Sequence, residues 1–165
     1  EKLSDYLAFL REATMLNINQ VIIHDGGNSI PEKGKRIDLW WRGHENGPLM
    51  MLLAHLLMHS NEYSDSRLYV KRVVRNNEDI KEAENELKQL IDEARMEAEI
   101  DVVESETSFA ETLHKHSSEA CCIFLGFELP DNENKDKWQE SYQKMLSDMP
   151  TTILVHSVVP RNYLW

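Results

Sequence analysis

Ile37-Asp38-Leu39-Trp40-Trp41-Arg42-Gly43-His44-Glu45-Asn46-Gly47-Pro48-Leu49-Met50-Met51-Leu52-Leu53-Ala54-His55-Leu56-Leu57-Met58-His59-Ser60 contains a complete strand-turn-helix unit. Ile37 to Trp41 reads as a short apolar strand carrying one acid. Arg42 to Asn46 breaks it. Gly47-Pro48 then places proline in the first turn of a helix, where its missing N–H would have had no intrahelical partner anyway. A strand running through a glycine turn into a helix is the repeating unit of parallel α/β folds.

The rest of the chain fits around this unit. Leu3, Tyr6, Leu7, Leu10 and Ala13 recur at helical spacing, which predicts an amphipathic helix over 3–16. Asn19 to His24 is a short strand, and Asp25 to Lys35 is the one stretch rich in turn formers. After Ser60 come a strand over Arg67–Val74 and a long solvated helix over Glu78–Glu97, striped by Ile80, Ala83, Leu87, Leu90, Ile91 and Ala94. A strand over Ile100–Val103 and a short helix over Phe109–Lys115 follow. Cys121–Phe127 is almost wholly apolar, as in a strand covered on both faces. Trp138, Tyr142, Met145, Leu146 and Met149 stripe a last helix that Pro150 ends, and Thr152–Val155 is the closing strand.

From Ile37 the order is β-α-β-α-β-α-β-α-β. Strict alternation predicts a doubly wound, mainly parallel sheet of about five strands with right-handed helical crossovers on both faces. Gln20–His24 adds an edge strand. The 165 residues suffice for one buried core and are too few for two ordinary domains. A single domain over 1–165 is therefore expected, with a leading helix and edge strand over 1–36 and a core over 37–157. This expected architecture resembles that of universal stress proteins.

Composition narrows the function classes. Hydrophobic residues make up 41% and charged residues 28%, the profile of a globular rather than a disordered chain. The longest apolar run, Pro48 to Met58, is interrupted by His55 and falls short of a bilayer span. Direct membrane insertion is thus not expected of this chain. The net charge of −11 argues against nucleic acid, which needs a basic stripe, and against anionic lipid. Lys33-Gly34-Lys35-Arg36 and Lys71-Arg72 with Arg75 are the only basic clusters, and both are short. Cys121 and Cys122, adjacent on a strand, point to opposite faces and fit a reducing compartment as free thiols. The chain begins at Glu1 without a secretory signal and is expected to be a piece of something longer.

In open parallel sheets ligands sit at the carboxyl ends of the strands. The turn Arg42–Gly47 leads into a helix N-terminus, which can hold an anion through free N–H groups, but it lacks dinucleotide or phosphate-loop spacing. After Gly126 a nucleotide-binding universal stress protein would continue with spaced glycines. Here the chain continues Phe127-Glu128-Leu129-Pro130-Asp131-Asn132-Glu133, free of glycine and acidic enough to repel phosphate. His55 and His59 stand four apart, a spacing that can ligate zinc, with no third ligand marked. His114 and His116 are weaker candidates. No nucleophile elbow is present, so no catalytic residue, cofactor or metal is predicted.

The helix over Pro48–Ser60 is apolar all round. Leu49, Leu52, Leu53, Leu56 and Leu57 make a core-facing stripe, and Met50, Met51, Ala54 and Met58 make the opposite side apolar too. An adaptable Met-rich outer face suits a protein partner. Met50, Met51, Ala54 and Met58 are the expected interface residues.

Ile37-Asp38-Leu39-Trp40-Trp41, the turn to Gly47 and the leucine-rich helix resemble the hallmark of the cytosolic C-terminal domain of cation–chloride cotransporters. Tyr63 to Val74 is similar to that family's basic-apolar strand, and Asp148-Met149-Pro150-Thr151-Thr152-Ile153-Leu154-Val155 to its C-terminal ending. The resemblance runs from Ile37 to about His156, and the lack of a counterpart to the regulatory phosphosites of animal members fits a prokaryotic relative. It implies a non-enzymatic regulatory and dimerising domain on the cytoplasmic side of the membrane. The parent would be a secondary transporter of the amino acid–polyamine–organocation superfamily, moving chloride with sodium or potassium. The partners would be a second copy and the transmembrane portion of the same polypeptide. The alternative is a stand-alone nucleotide-binding protein of the universal stress type.

Overall fold

The computed structural model describes residues 2–27, 35–75 and 79–158. Its elements are α1 (Lys2–Met15), β1 (Gln20–His24), β2 (Arg36–Trp40), α2 (Gly47–Met58), β3 (Arg67–Val74), α3 (Ile80–Ala94), β4 (Glu99–Glu104), α4 (Phe109–Ser117), β5 (Cys122–Gly126), a 3-10 turn (Asn132–Asn134), α5 (Lys135–Leu146) and β6 (Thr152–His156). Every expected element is present, with ends displaced by a residue or a few. Local chemistry accounts for several of these ends. Asp79 caps α3 by accepting from the N–H groups of Lys81 and Glu82, and Ser108 and Glu111 close a capping box on α4.

The six strands form one sheet in the order β1-β6-β5-β2-β3-β4. β2 through β6 are parallel to their neighbours, and β1 lies antiparallel to β6 at the edge. The doubly wound expectation is met, because helices cover both faces. On one face α2 and α3 pack over Ile37, Leu39, Trp41, Leu68, Val70, Cys122, Phe124 and Val155. On the other, α4 and α5 pack over Trp40, Val103, Ile123, Leu125, Phe127 and Leu154. α1 lies beside α5, held by the Lys135 ammonium donating to Ser4 Oγ and by Arg11 donating to Asn132 Oδ1 and the Pro130 carbonyl.

α2 is rotated from the sequence expectation. Met50, Met51 and Ala54 are buried against the sheet, and Met58 is half-buried, so three of the four expected interface residues belong to the core. Leu56 is 58% exposed, and Leu52, Leu53 and Leu57 are half-buried. Both stripes of this helix have helical periodicity, so periodicity could not rank them. Close approach does. Gly47 and Ala54 are the small residues that let α2 descend onto β2 and β5, and the flexible methionines fill the irregular space beside them. Leu49 joins them in the core, Leu52, Leu53 and Leu57 pack at its margin, and Leu56 is the leucine turned outward.

The basic clusters are tied down internally. The Lys35 ammonium bonds the Glu62 carbonyl and lies 3.1 Å from Asp65. Lys71 pairs with Asp101, Arg72 with Glu86, and Arg75 donates to the Thr107 carbonyl. Lys33 and Gly34 lie outside the described residues.

Candidate functional site

In this sheet β2 and β5 are the neighbours from which the chain winds in opposite directions, β2 leading to β3 and β4 and β5 to β6. A crevice is expected beyond the carboxyl ends of such a pair. One of about 550 Å³ lies there, lined by the turn 42–47, Gly126, Phe127, Glu128, Trp138 and Tyr142.

Its floor is closed by Asn46. This residue precedes α2 without capping it through its side chain. Instead Asn46 Oδ1 accepts from the Ser157 N–H at 2.8 Å, and its Nδ2 donates to the Phe127 carbonyl at 3.4 Å. It packs so closely on β5 that a Cβ on Gly126 would stand 2.8 Å from Nδ2. One amide thus joins the ends of β2, β5 and β6.

The walls are mixed. The Arg42 guanidinium stacks over Phe109 at 4.9 Å from the ring centre, and His44 meets Trp41 edge to face at 5.4 Å. Trp138 donates its indole N–H to the Glu128 carbonyl at 3.1 Å and packs on Tyr142 at 4.7 Å between ring centres. Burial pushes the Tyr142 hydroxyl above its ordinary range, against the pull of the Arg42 charge. Sequence reasoning singled out the two strand ends but missed Asn46, Trp138 and Tyr142. The last two were read as core stripe; their four-residue spacing gave no sign that they also face a crevice.

A second polar centre lies under α4. Asp38 is fully buried. Arg36 approaches it with Nε 3.0 Å from Oδ1 and Nη2 3.0 Å from Oδ2, and Ser117 Oγ donates to Oδ2 at 2.7 Å. Trp40 Nε1 donates to the same Ser117 oxygen at 3.0 Å. Burial raises the Asp38 carboxyl above its ordinary value, and the Ser117 bond with the Lys71 and Arg36 charges opposes it without reversing the shift. The acid of the Ile37–Trp41 strand is therefore an anchor between sheet and α4 rather than a group open to a ligand.

The histidine candidates separate. His114 Nε2 lies 2.9 Å from the Met145 carbonyl and joins α4 to α5. His55 on α2 and His59 just beyond its end are exposed, their rings 4.3 Å apart between centres. Among the described residues no group of three or more His, Cys, Asp or Glu side chains is placed to hold a metal. No described helix is long and apolar enough to cross a membrane.

The sequence profile of solute carrier family 12 matches residues 30–120, more than half the chain. The chain belongs to solute carrier family 12. The match takes in β2, its turn, α2 and β3, which carried part of the resemblance to cation–chloride cotransporters, while the block Asp148–Val155 lies outside it. In three dimensions this family 12 chain is similar to the cytoplasmic domain of a prokaryotic cation chloride cotransporter, with a TM-score of 0.69 and 18% identity over 98% of the chain. It spans 61% of that domain's length. A universal stress protein family member from Burkholderia pseudomallei matches 79% of the family 12 chain, with a TM-score of 0.49 and 16% identity. No curated protein sequence matches significantly.

Proposed function

We propose that this chain is a regulatory and dimerising cytoplasmic domain of a cation–chloride cotransporter. It acts by self-association and by contact with the membrane-spanning portion of the same polypeptide, and it catalyses nothing itself. Membership of solute carrier family 12 and the shared fold supply the setting. The observation that carries the reading is the outer face of α2. Along Gly47–Met58 there is no Asp, Glu, Lys or Arg, although the chain as a whole bears a net charge of −11. An uncharged apolar face on a strongly acidic domain is the place where two copies can meet without like-charge repulsion.

The make-up of the crevice beyond β2 and β5 is in keeping with this non-catalytic reading. Asn46 occupies its floor with two hydrogen bonds, and Glu128 stands in the wall where a nucleotide binder would present glycine N–H groups to phosphate. Calorimetry with ATP and AMP should therefore give no micromolar binding.

The test of self-association is sedimentation of the chain and of Leu56→Lys over a wide concentration range. The parent chain should form dimers, and the variant should weaken them by at least about tenfold, as expected when a charge enters an apolar contact. A chain that remains monomeric at high concentration removes the dimerising part of the proposal.

A further inference from the structure

His55 on the last turn of α2 and His59, the residue that follows its end, are both exposed, either side of Leu56 in sequence. Their rings are 4.3 Å apart between centres and inclined at 51°. His59 Nδ1 lies 2.8 Å from the His55 carbonyl oxygen. A carbonyl can only accept, so in the neutral ring the proton resides on Nδ1 and Nε2 keeps a bare lone pair. Fixing one ring nitrogen to a backbone carbonyl is how metal-binding imidazoles are held in the ligating tautomer and orientation.

We propose that His55 and His59 form half of a site for a divalent transition-metal ion of the zinc type, which a second copy of the chain completes. The proposal rests on the self-association read from the α2 face. Two imidazoles leave a tetrahedral ion half coordinated, and no cluster of three or more candidate ligands occurs among the described residues of one copy. A two-fold contact is isologous, so whatever one copy presents at the axis the other presents too. A pair of imidazoles at the axis becomes four, the full complement of a closed zinc site.

Charge favours the same occupant. Two copies at −11 each repel wherever their acids face one another. The segment Gly47–Met58 contributes no acid, and its single titratable side chain, His55, is a ligand type. Leu56, 58% exposed, is the apolar residue such a contact would bury. A dication shared between the copies offsets their mutual repulsion. Imidazole nitrogen selects zinc, copper or nickel over magnesium and calcium, which prefer oxygen.

The untagged 165-residue chain is titrated with zinc sulfate by calorimetry, with magnesium sulfate as control, and its mass is followed by sedimentation with zinc and with EDTA. Zinc should bind as one ion shared by two chains, with EDTA-reversible tightening of the dimer and no response to magnesium. His55→Ala and His59→Ala replace exposed side chains, so circular dichroism should be unchanged. Each should weaken zinc binding by at least about tenfold, and the zinc-dependent change in mass should vanish. Absence of zinc binding overturns the proposal, as does binding that survives both substitutions or one ion bound per chain without a change in mass. A dimer in EDTA that ignores zinc leaves self-association standing and removes the metal site. A monomer under every condition removes both.

Discussion

The Trp41 indole lies so close over Gly47 that a Cβ on the glycine would stand 2.1 Å from the ring. The last residue leaving β2 thus packs on the first residue of α2, and the strand-to-helix turn closes through that contact. Gly47→Ala should force the ring or the helix start to move and destabilise the chain by about 1–3 kcal/mol, the usual effect of overpacking. Urea denaturation followed by tryptophan fluorescence measures it. An unchanged midpoint would show that the turn is looser than the geometry implies.

Removing the buried carboxylate should be more severe. Asp38→Ala removes the carboxylate that the Arg36 guanidinium pairs with and that accepts from the Ser117 hydroxyl, the same hydroxyl that receives the Trp40 N–H. A loss of about 3 kcal/mol is expected from breaking a buried pair on one side. Thermal unfolding of this variant checks the magnitude.

The same carboxyl has a pH signature. Its value in the folded chain is raised by burial above that in the unfolded chain. The stability linked to it is therefore fully present below the ordinary carboxylate value and is lost as pH rises through the raised one. Asp38→Asn lacks this dependence. The stability of the parent chain relative to Asp38→Asn should fall as pH is raised through that window, as read by urea midpoints at a series of pH values. A gap that widens instead would mean that Arg36 and Ser117 outweigh burial.

Burial against the α2 face pushes the Cys122 thiol up to about 12, from an ordinary value of 9.0. Because the thiolate is the reactive form, Cys122 in the folded chain should alkylate at pH 8 about a thousandfold more slowly than an exposed thiol. Cys121, half-buried and donating to the Arg36 carbonyl, is also raised by burial. Mass spectrometry after brief iodoacetamide treatment should find Cys122 unmodified until urea is added.

Opposite outcomes are expected for one substitution on the two sides of α2. Met51→Lys places an ammonium in the core, where Met51 is fully buried, and should unfold the chain. Leu56→Lys, compared at a concentration low enough for both chains to be monomeric, places it in water and should leave the melting temperature nearly unchanged. Circular dichroism melts of the two variants decide which side faces the sheet.

That side was the one thing about α2 that the sequence did not reveal. Its strand-turn-helix setting was legible from Ile37–Trp41 and Gly47-Pro48, and the doubly wound order from the alternation that follows. The orientation of an all-apolar helix depends on which residues permit close approach, and Gly47 and Ala54 show their value only once Trp41 and the sheet are beneath them. The crevice was half legible. Both strand ends border the crevice that the structure shows. Asn46 could not be found the same way, because its two partners, Phe127 and Ser157, are remote in sequence. The Asp38 anchor was equally hidden, since Ser117 approaches it from another element.

β1 draws its hydrogen bonds from β6 alone among the described strands, at the far end of the chain. Gln20–His24 is synthesised about 130 residues ahead of its partner Thr152–His156, a pairing of high sequence separation that is slow to form. Until then Val21, Ile22 and Ile23 are an unpaired apolar strand, and even in the finished fold Ile23 is 66% exposed. The opening segment of this domain is therefore the part most dependent on completion of the chain, and truncation at the carboxyl end would be felt first at the amino end.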